Sequence, residues 1–198
     1  MIEKKVLVIS VHPDDETLGC GGTILKYRSK GDKIFWMILT KISDTLNLSE
    51  KKMELRKLEI EEVAKKYGFS RTFQGNFPAA ELHLVDFNKL FLFLKEILDE
   101  IQPEIIFMPN RSDIHTDHQI AAKAIFSSIK SFRAPYINKI LMYECLSETE
   151  IAPVLPENVF FPNVFSDITD FLEEKIQIMK IFKSELADHP FPRSIENI

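Results

Sequence analysis

The sequence predicts an α/β protein with a Rossmann-like, doubly wound and mostly parallel sheet and helices on both faces. Two apolar, β-branched segments, residues 5–11 and 33–39, have the composition of strands that are buried on both faces. Longer segments with apolar residues at helical spacing, such as residues 87–101, follow along the chain. Strands that alternate with helices are typical of βαβ units, which build parallel sheets.

The predicted elements alternate along the whole chain. The predicted strands are residues 5–11, 33–39, 71–74, 105–108, 139–143 and 163–168. The predicted helices are residues 19–30, 50–67, 87–101, 117–132 and 170–186. Ser49 and Asp86 can cap the second and third helices, because their side-chain oxygens accept hydrogen bonds from free backbone N–H groups. The first three helices stop before Gly31, Gly68 and Pro103, which interrupt helical geometry.

Length and composition exclude several classes of protein. The chain has 198 residues, of which 45% are hydrophobic and 28% charged, so we expect one domain over residues 1–198. The 25 basic and 30 acidic residues give a net charge of −5, without the basic footprint that nucleic-acid binding needs. No apolar run approaches the roughly 18 residues of a membrane-spanning helix. The absence of a recognisable signal peptide, and of a pairing pattern for Cys20 and Cys145, favours a cytoplasmic protein.

A cluster of charged side chains follows the first predicted strand, where ligands bind in sheets of this type. The segment reads His12-Pro13-Asp14-Asp15-Glu16. Its carboxylates and imidazole would repel and desolvate one another if they were buried without a cation, so a bound divalent metal is favoured. The alternative is that the carboxylates merely cap a helix while the histidine packs in the core. The glycines of residues 19–22 are expected to allow close packing of this helix on the sheet.

A second cluster, His115-Thr116-Asp117-His118, follows the fourth predicted strand and opens a helix. Two histidines three positions apart share a helical face, and Asp117 can orient a ring nitrogen. In a doubly wound sheet the first and fourth strands can be neighbours, which would bring the two clusters together. Histidine and aspartate ligands suit zinc. Three protein ligands would leave a position for water in a catalytic site, and four would close a structural one.

At these two motifs the sequence resembles the PIG-L/LmbE-like N-deacetylase family. Members of that family are zinc-dependent enzymes that remove an acyl group, usually acetyl, from an N-acylated amino sugar or its conjugate. The resemblance implies that His12, Asp15 and His118 bind one zinc ion per chain. It also implies a small-molecule N-acetylated sugar or sugar conjugate as the substrate.

The resemblance implies roles for three further residues of the two motifs. Asp14 would be the general base. His115 would stabilise the oxyanion or protonate the leaving amine, and Asp117 would tune His115. Two rival functions remain open: a metal-dependent phosphoesterase, which would more often need two metals, and a non-catalytic sugar- or nucleotide-binding domain with a structural metal.

Three residues are candidates for substrate binding. Arg56 interrupts an apolar helical stripe, and the family often has an arginine here that contacts substrate hydroxyls. The alternative for Arg56 is an ion pair with Glu59 or Glu62. Asn110 and Arg111 lie in the loop before His115 and are expected to meet a sugar or phosphate group.

Two expectations concern the rest of the chain. Residues 189–198 resemble the Arg-Ser segment that usually opens a further stretch in the family, so the chain is expected to lack the usual C-terminal segment, either naturally or by truncation. Leu92 and Phe93 fall outside the main apolar stripe of their helix. They would pack under a loop or form a subunit contact, which leaves a homo-oligomer open.

Overall fold

A computed structural model describes residues 3–42 and 50–198 of the chain. The described residues contain five strands, all parallel, in the order β3-β2-β1-β4-β5. The strands are β1 Lys5–Ser10, β2 Lys33–Lys41, β3 Arg71–Pro78, β4 Ile105–Pro109 and β5 Lys139–Tyr143. The central position of β1 between β2 and β4 confirms the predicted α/β class and the predicted neighbourhood of the first and fourth strands.

Helices cover both faces of the sheet, as the sequence predicts. They are α1 Asp15–Ser29, α2 Glu50–Tyr67, α3 Phe87–Ile101, α4 Thr116–Ser128 and α5 Leu172–Met179. Successive strand residues point to opposite faces, so Val6 and Val8 of β1 pack with α1, α2 and α5, whereas Leu7 and Ile9 pack with α3 and α4. Within the described ranges, no helix has both the length and the apolar character required to cross a membrane.

Local sequence signals account for α3. Asp86 caps this helix, with its side chain accepting a hydrogen bond from the backbone N–H of Asn88. The helix ends at Ile101, and Gln102 takes the left-handed conformation that closes it. Leu92 is exposed, while Phe93 packs edge-on against Phe77. The other predicted cap, Ser49, lies outside the described residues.

The predicted strand at residues 163–168 is wrong. This segment forms no strand but lies against α1, where the backbone carbonyl of Asp167 accepts a hydrogen bond from Lys26 and the side chain of Ile168 fills the space beside Gly22. Its apolar composition does not reflect burial, because Val164 and Phe165 are 63% and 81% exposed. A strand needs a neighbouring edge with which to pair, and this requirement is not visible in the composition of the segment itself.

Further boundaries differ from the prediction: α1 begins at Asp15 instead of residue 19, and β2 ends at Lys41 instead of residue 39. The last helix is α5 alone, flanked by 3₁₀ turns at Thr169–Phe171 and Lys183–Glu185, because Phe182 leaves helical geometry and is completely buried in the core. The fourth helix ends at Ser128 instead of residue 132. The third strand continues to Pro78 because β2 is long enough to pair with it through an irregularity between Ile38 and Thr40.

The glycines of α1 allow it to approach the sheet and its neighbours closely, as expected. A Cβ atom on Gly19 would lie 2.1 Å from the ring of Tyr143, and one on Gly21 would lie 2.4 Å from the Tyr67 hydroxyl oxygen. Any side chain at these positions would therefore push α1 away from its neighbours. This packing holds the N-terminus of α1, and the acidic residues that begin it, against the carboxyl edge of β1.

Candidate active site

The two histidine motifs meet at the carboxyl edge of the sheet. His12 comes two residues after the end of β1, and His118 lies in the first turn of α4, which follows β4. Because β1 and β4 pair directly, the ring centroids of these two histidines lie 5.3 Å apart although the residues are more than a hundred positions apart in the chain. Tertiary structure thus brings together the imidazoles of both motifs.

Three of these side chains present one donor atom each to a common point. The Nε2 atom of His118 lies 3.3 Å from Nδ1 of His12 and 3.3 Å from Oδ2 of Asp15. The third separation, from Nδ1 of His12 to Oδ2 of Asp15, is 4.0 Å. Zinc bonds of about 2.0–2.2 Å place tetrahedral ligands about 3.3–3.6 Å apart. Two of the three separations therefore fit a zinc ion, and the third is somewhat wide.

Each histidine of this group is oriented by a carboxylate on its other ring nitrogen. Nδ1 of His118 lies 2.9 Å from Oδ2 of Asp113, and Nε2 of His12 lies 3.2 Å from Oδ2 of Asp117. A proton on each of these nitrogens leaves the lone pairs of the opposite nitrogens facing Asp15. The same carboxylate–histidine arrangement orients imidazole ligands in zinc sites.

The electrostatics of the group favour positive charge at its centre. Burial lowers the pKa of His118, but the adjacent carboxylates of Asp15 and Asp113 outweigh it and raise that pKa to about 10. Burial raises the pKa of Asp15, but the rings of His118 and His12 outweigh it and hold that pKa well below the usual range of an aspartate. Surroundings that bind a proton this strongly also stabilise a divalent cation, which would displace the proton. The donor set therefore fits a metal ion.

Asp14 lies beside the group in a strained backbone conformation. Its φ of 141° is in a region that residues other than glycine rarely adopt, and such strain persists only where the surroundings hold it. The side chain is almost fully buried, and its Oδ2 accepts a hydrogen bond from Nη1 of Arg193 at 2.9 Å. Burial and the adjacent Asp15 raise the pKa of Asp14 well above its usual value, against the opposing charge of Arg193.

Glu16, the third carboxylate of the first motif, points away from the donor atoms. Its Oε2 accepts a hydrogen bond from the hydroxyl of Ser10 at 2.9 Å, and its Oε1 accepts one from Thr17 at 2.7 Å. The Ser10 hydroxyl in turn accepts one from the indole of Trp36. Burial raises the pKa of Glu16 to about 7. This residue joins the start of α1 to β1 and β2.

His115 is placed beside His12 as a neutral imidazole. Its Nδ1 accepts a hydrogen bond of 3.1 Å from the backbone N–H of Asp117, so the ring caps α4. Burial, and the nearby rings of His12 and His118, lower the pKa of His115 to about 4. With Nδ1 acting as an acceptor, the ring proton is on Nε2 and can be donated to a ligand. This geometry favours oxyanion stabilisation over proton delivery among the two roles that the resemblance implies.

The carboxylate of Asp117 contacts His12, whereas the resemblance implies that it tunes His115. Its oxygens accept hydrogen bonds from the backbone N–H groups of Ala80 and Leu82, at 2.6 and 3.1 Å, as well as contacting Nε2 of His12. The carboxylate of Asp117 makes no described hydrogen bond to the ring of His115, but its charge raises the pKa of that ring. The reason is that the start of α4 turns this side chain toward the loop after β3, which sequence spacing does not reveal.

A cavity of about 310 Å³ opens beside the donor group. It is lined by His12, Pro13, Asp14, Thr40, Lys41, Ile42, Arg56, Ala79, Ala80, His115, Glu148, Glu185 and Arg193. Arg56 forms ion pairs with Glu59, at 3.6 Å, and with Glu185. The predicted ion pair of Arg56 with Glu59 is therefore present, and Arg56 also forms part of the cavity wall, where its contact with a substrate stays a prediction.

The other two substrate-binding candidates lie away from the cavity. Arg111 is exposed and donates a hydrogen bond of 2.7 Å to the backbone carbonyl of Glu157. Asn110 is buried, and its backbone N–H donates to the carbonyl of Tyr143. Within residues 3–42 and 50–198, its side-chain Nδ2 has no hydrogen-bond partner. These residues follow β4 directly, and the chain turns their side chains away before it reaches His115.

Among the cavity residues that sequence reasoning missed are three charged ones that follow the last strand: Glu148, Glu185 and Arg193. Each comes from a different part of the chain's C-terminal quarter, after the last strand of the sheet. None belongs to a dense local cluster of the kind that marks the two histidine motifs. The resemblance of residues 189–198 to an Arg-Ser segment is the one signal that pointed to the position of Arg193.

The parallel sheet and the buried histidine–aspartate group at its carboxyl edge define an α/β protein with a candidate metal centre. The chain belongs to the PIG-L family, because residues 7–129 match the family model described as GlcNAc-PI de-N-acetylase. The resemblance noted from the two motifs is thereby confirmed.

Named relatives cover most of the chain. It is 27% identical over 199 residues to the diacetylchitobiose deacetylase of Thermococcus kodakarensis, which covers 93% of this chain and 71% of that protein. It is 22% identical over 193 residues to a probable N-acetyl-α-D-glucosaminyl L-malate deacetylase 2 of Bacillus cereus, covering 93% and 84%. The structure of N,N′-diacetylchitobiose deacetylase from Pyrococcus horikoshii with its inhibitor MPG has a TM-score of 0.73 and 26% identity, covering 93% and 72%. These relatives are N-deacetylases of acetylated sugars.

Proposed function

We propose that this protein hydrolyses the N-acetyl group of an N-acetylated amino sugar or sugar conjugate, with one zinc ion held by His12, Asp15 and His118. The observation that carries the proposal is the convergence of these three donor atoms beside a cavity of about 310 Å³. His12 belongs to both the donor group and the cavity wall, so a ligand in the cavity would lie next to the metal. When bound, zinc would supply Lewis acidity, which polarises a carbonyl group and acidifies water.

Asp14 is the general base in this proposal. It lies on the cavity wall directly before the ligand Asp15, and its carboxylate takes a proton from the water that attacks the amide carbonyl. The same proton can then pass to the amine as the carbon–nitrogen bond breaks. The products are acetate and the free amino sugar, so one water is consumed for each amide cleaved.

His115 stabilises the negative charge that develops on the carbonyl oxygen. The neutral ring offers its Nε2–H to the cavity, because Nδ1 is already engaged by the backbone of Asp117. A positioned hydrogen-bond donor of this kind contributes on the order of 10²–10³ to the rate of acyl transfer. The pKa of about 4 keeps the ring in this neutral form throughout the neutral pH range.

The charges of the cavity argue against the phosphoesterase alternative. Arg56 is paired with Glu59 and Glu185, and Arg193 is paired with Asp14, Glu148 and Glu185. Neither guanidinium is therefore available to a phosphate without the loss of an existing ion pair.

The candidate metal groups argue against a two-metal site and against a structural zinc centre. The two candidate metal groups among the described residues both contain His12, and the second also uses the Asp117 carboxylate that is bonded to two backbone N–H groups. Two ions side by side would need separate donors. A structural zinc centre would need four protein ligands, and each described group provides three.

Acetate release is the direct test of the proposal. The zinc-loaded chain is incubated with N-acetylglucosamine, N,N′-diacetylchitobiose and a nucleotide-activated N-acetylhexosamine, and acetate and free amine are measured. We expect both products in equal amounts from at least one substrate, with the loss of both after zinc removal and their return when zinc is restored. Hydrolysis of a phosphate ester without acetate release would contradict the proposal.

A further inference from the structure

Arg193 lies in residues 183–198, called the C-terminal segment from here on, and connects this segment to the candidate general base, Asp14. Its Nη1 donates a hydrogen bond of 2.9 Å to Oδ2 of Asp14, a residue 179 positions earlier in the chain. The side chain of Arg193 is 17% exposed and that of Asp14 is 4% exposed. This is therefore a largely buried ion pair at the wall of the cavity, where solvent screens the two charges weakly.

The guanidinium of Arg193 is fixed by contacts from each of its nitrogens. Nε donates to the hydroxyl of Ser147 at 2.7 Å, Nη2 contacts Oε1 of Glu148 at 3.3 Å, and Nη1 also contacts Oε2 of Glu185 at 3.2 Å. A planar group held at three corners has little freedom to rotate. Its direction toward Asp14 is thus set by residues outside the metal group.

The contact from Arg193 leaves the other oxygen of Asp14 available. Among the described contacts, Oδ2 alone accepts a hydrogen bond from a protein group, and Oδ1 accepts none. The backbone of Asp14 is strained, and it is held from the other side by its N–H, which donates to Glu16 at 3.2 Å, and by its carbonyl, which accepts from Thr17 at 2.9 Å. Arg193 is thus the one described hydrogen-bond donor that fixes the direction of this carboxylate.

We propose that Arg193 is a positioning residue that holds Oδ2 of Asp14 and thereby directs Oδ1 at the attacking water, a role that rests on the proposed function. Misplacement of a catalytic group by about 1 Å can lower a rate about 10²-fold. Arg193 acts through Asp14 and not through the metal, since it contacts none of the three donor residues by hydrogen bond or ion pair in the described part of the chain. The C-terminal segment is thus a working part of the site.

The test compares Arg193→Gln and Arg193→Lys with the wild type, all as the full zinc-loaded chain. We expect Arg193→Gln to lower kcat by roughly 30-fold or more, with KM changed less than threefold and one zinc per chain retained. Arg193→Lys keeps the charge but not the planar fork, so it should recover part of the lost kcat. Arg28→Gln removes an arginine that pairs with Glu174 between α1 and α5, and it is the control for general loss of an ion pair.

A double substitution separates action through Asp14 from a merely structural effect. If Arg193 works through Asp14, then adding Arg193→Gln to Asp14→Asn should lower kcat less than threefold further, because the base is already absent. A multiplicative loss in the double variant would overturn the proposal. So would Arg193→Gln retaining more than a third of wild-type kcat. If Arg193→Gln does not fold, Arg193→Lys is measured in the same two backgrounds, and a multiplicative loss in its double variant with Asp14→Asn would overturn the proposal.

Thermal unfolding of the same four zinc-loaded proteins distinguishes failure of this proposal from failure of the proposed function. A direct buried contact predicts that the Tm changes of the single substitutions are non-additive by more than about 2 °C in the double variant. If the wild type releases no acetate from any substrate, the proposed function fails and the Arg193 proposal fails with it. If acetate is released but the Tm changes add, the Arg193 proposal alone is overturned.

Discussion

The loop after β1 and the C-terminal segment both line the same cavity, but they are held there in different ways. In the loop, Oδ2 of Asp15 accepts hydrogen bonds from the backbone N–H groups of Val11 and His12, at 2.8 and 2.9 Å. The C-terminal segment reaches the loop through the ion pair of Arg193 with Asp14. The Asp15 donor atom is therefore fixed by neighbours in sequence, whereas the contact of Arg193 with Asp14 joins distant residues. We therefore expect substitutions in the two histidine motifs and substitutions in the C-terminal segment to have effects of different size on zinc content and kcat.

The largest effect is expected for His118→Ala. It removes one of three donors and leaves the carboxylates of Asp15 and Asp113 buried without their imidazole partner. Zinc content should fall from one per chain to near zero, and acetate release should fall by more than about 10³. Metal content is measured by elemental analysis after dialysis. His83→Ala, at an exposed position of the 3₁₀ turn Leu82–Leu84, is the control. Full zinc retention in His118→Ala would rule out this ligand.

Asp14→Asn should lower kcat by about 10²–10⁴ while zinc content stays at one per chain. The substitution keeps the shape of the side chain and removes its ability to accept a proton. Steady-state kinetics and metal analysis on the same preparation check both statements. Turnover within a factor of three of the wild type would show that another group is the base.

His115→Ala should lower kcat by about 10² without loss of zinc. The pH dependence is the sharper measurement. Because the pKa of His115 is lowered to about 4, the ring is neutral above about pH 5, and the ratio of wild-type to variant kcat should be constant from pH 6 to pH 8. A ratio that grows as the pH falls through 6.5 would mean that the protonated ring is the active form.

The smallest effect is expected for Glu185→Gln, which tests the part of the cavity wall that the C-terminal segment provides. It weakens the contacts of Glu185 with Arg56 and Arg193 but leaves the contact between Arg193 and Asp14 in place. We expect KM to rise by less than about tenfold with kcat changed less than threefold, since Asp14 keeps its partner. Glu174→Gln, on the exposed pair with Arg28, is the matched control. A fall in kcat as large as that of Arg193→Gln would contradict this expectation, because it would mean that catalysis depends on Glu185 as strongly as on Arg193.

Much of the fold is predictable from the sequence because its signals are local. The buried strand β1 is nearly all apolar, and the cap at Asp86 and the apolar spacing of α3 give that helix its predicted bounds. The segment at residues 163–168 is the instructive failure. Its composition is that of a strand, but a strand exists only where another edge accepts its hydrogen bonds, and here the segment lies on α1 instead.

The candidate site, like the fold, was predictable from the sequence only in part. Local density of histidine and carboxylate indicated the two motifs, and the structure brings His12, Asp15 and His118 together. The partner of each ring nitrogen was not predictable. Asp117 follows His115 by two positions, yet its carboxylate contacts His12, because the direction of a side chain at a helix start depends on what packs against it.

The sequence by itself determined the alternation of strands and helices, the place of both histidine motifs at the carboxyl ends of strands, and the family to which the chain belongs. These depend on residues within a few positions of one another. Tertiary structure alone decided that Asp117 and Asp113 orient the two imidazoles, and that Arg193 reaches Asp14. The physical reason is that contacts between distant residues are selected by packing of the whole chain, and a single sequence carries no local record of them.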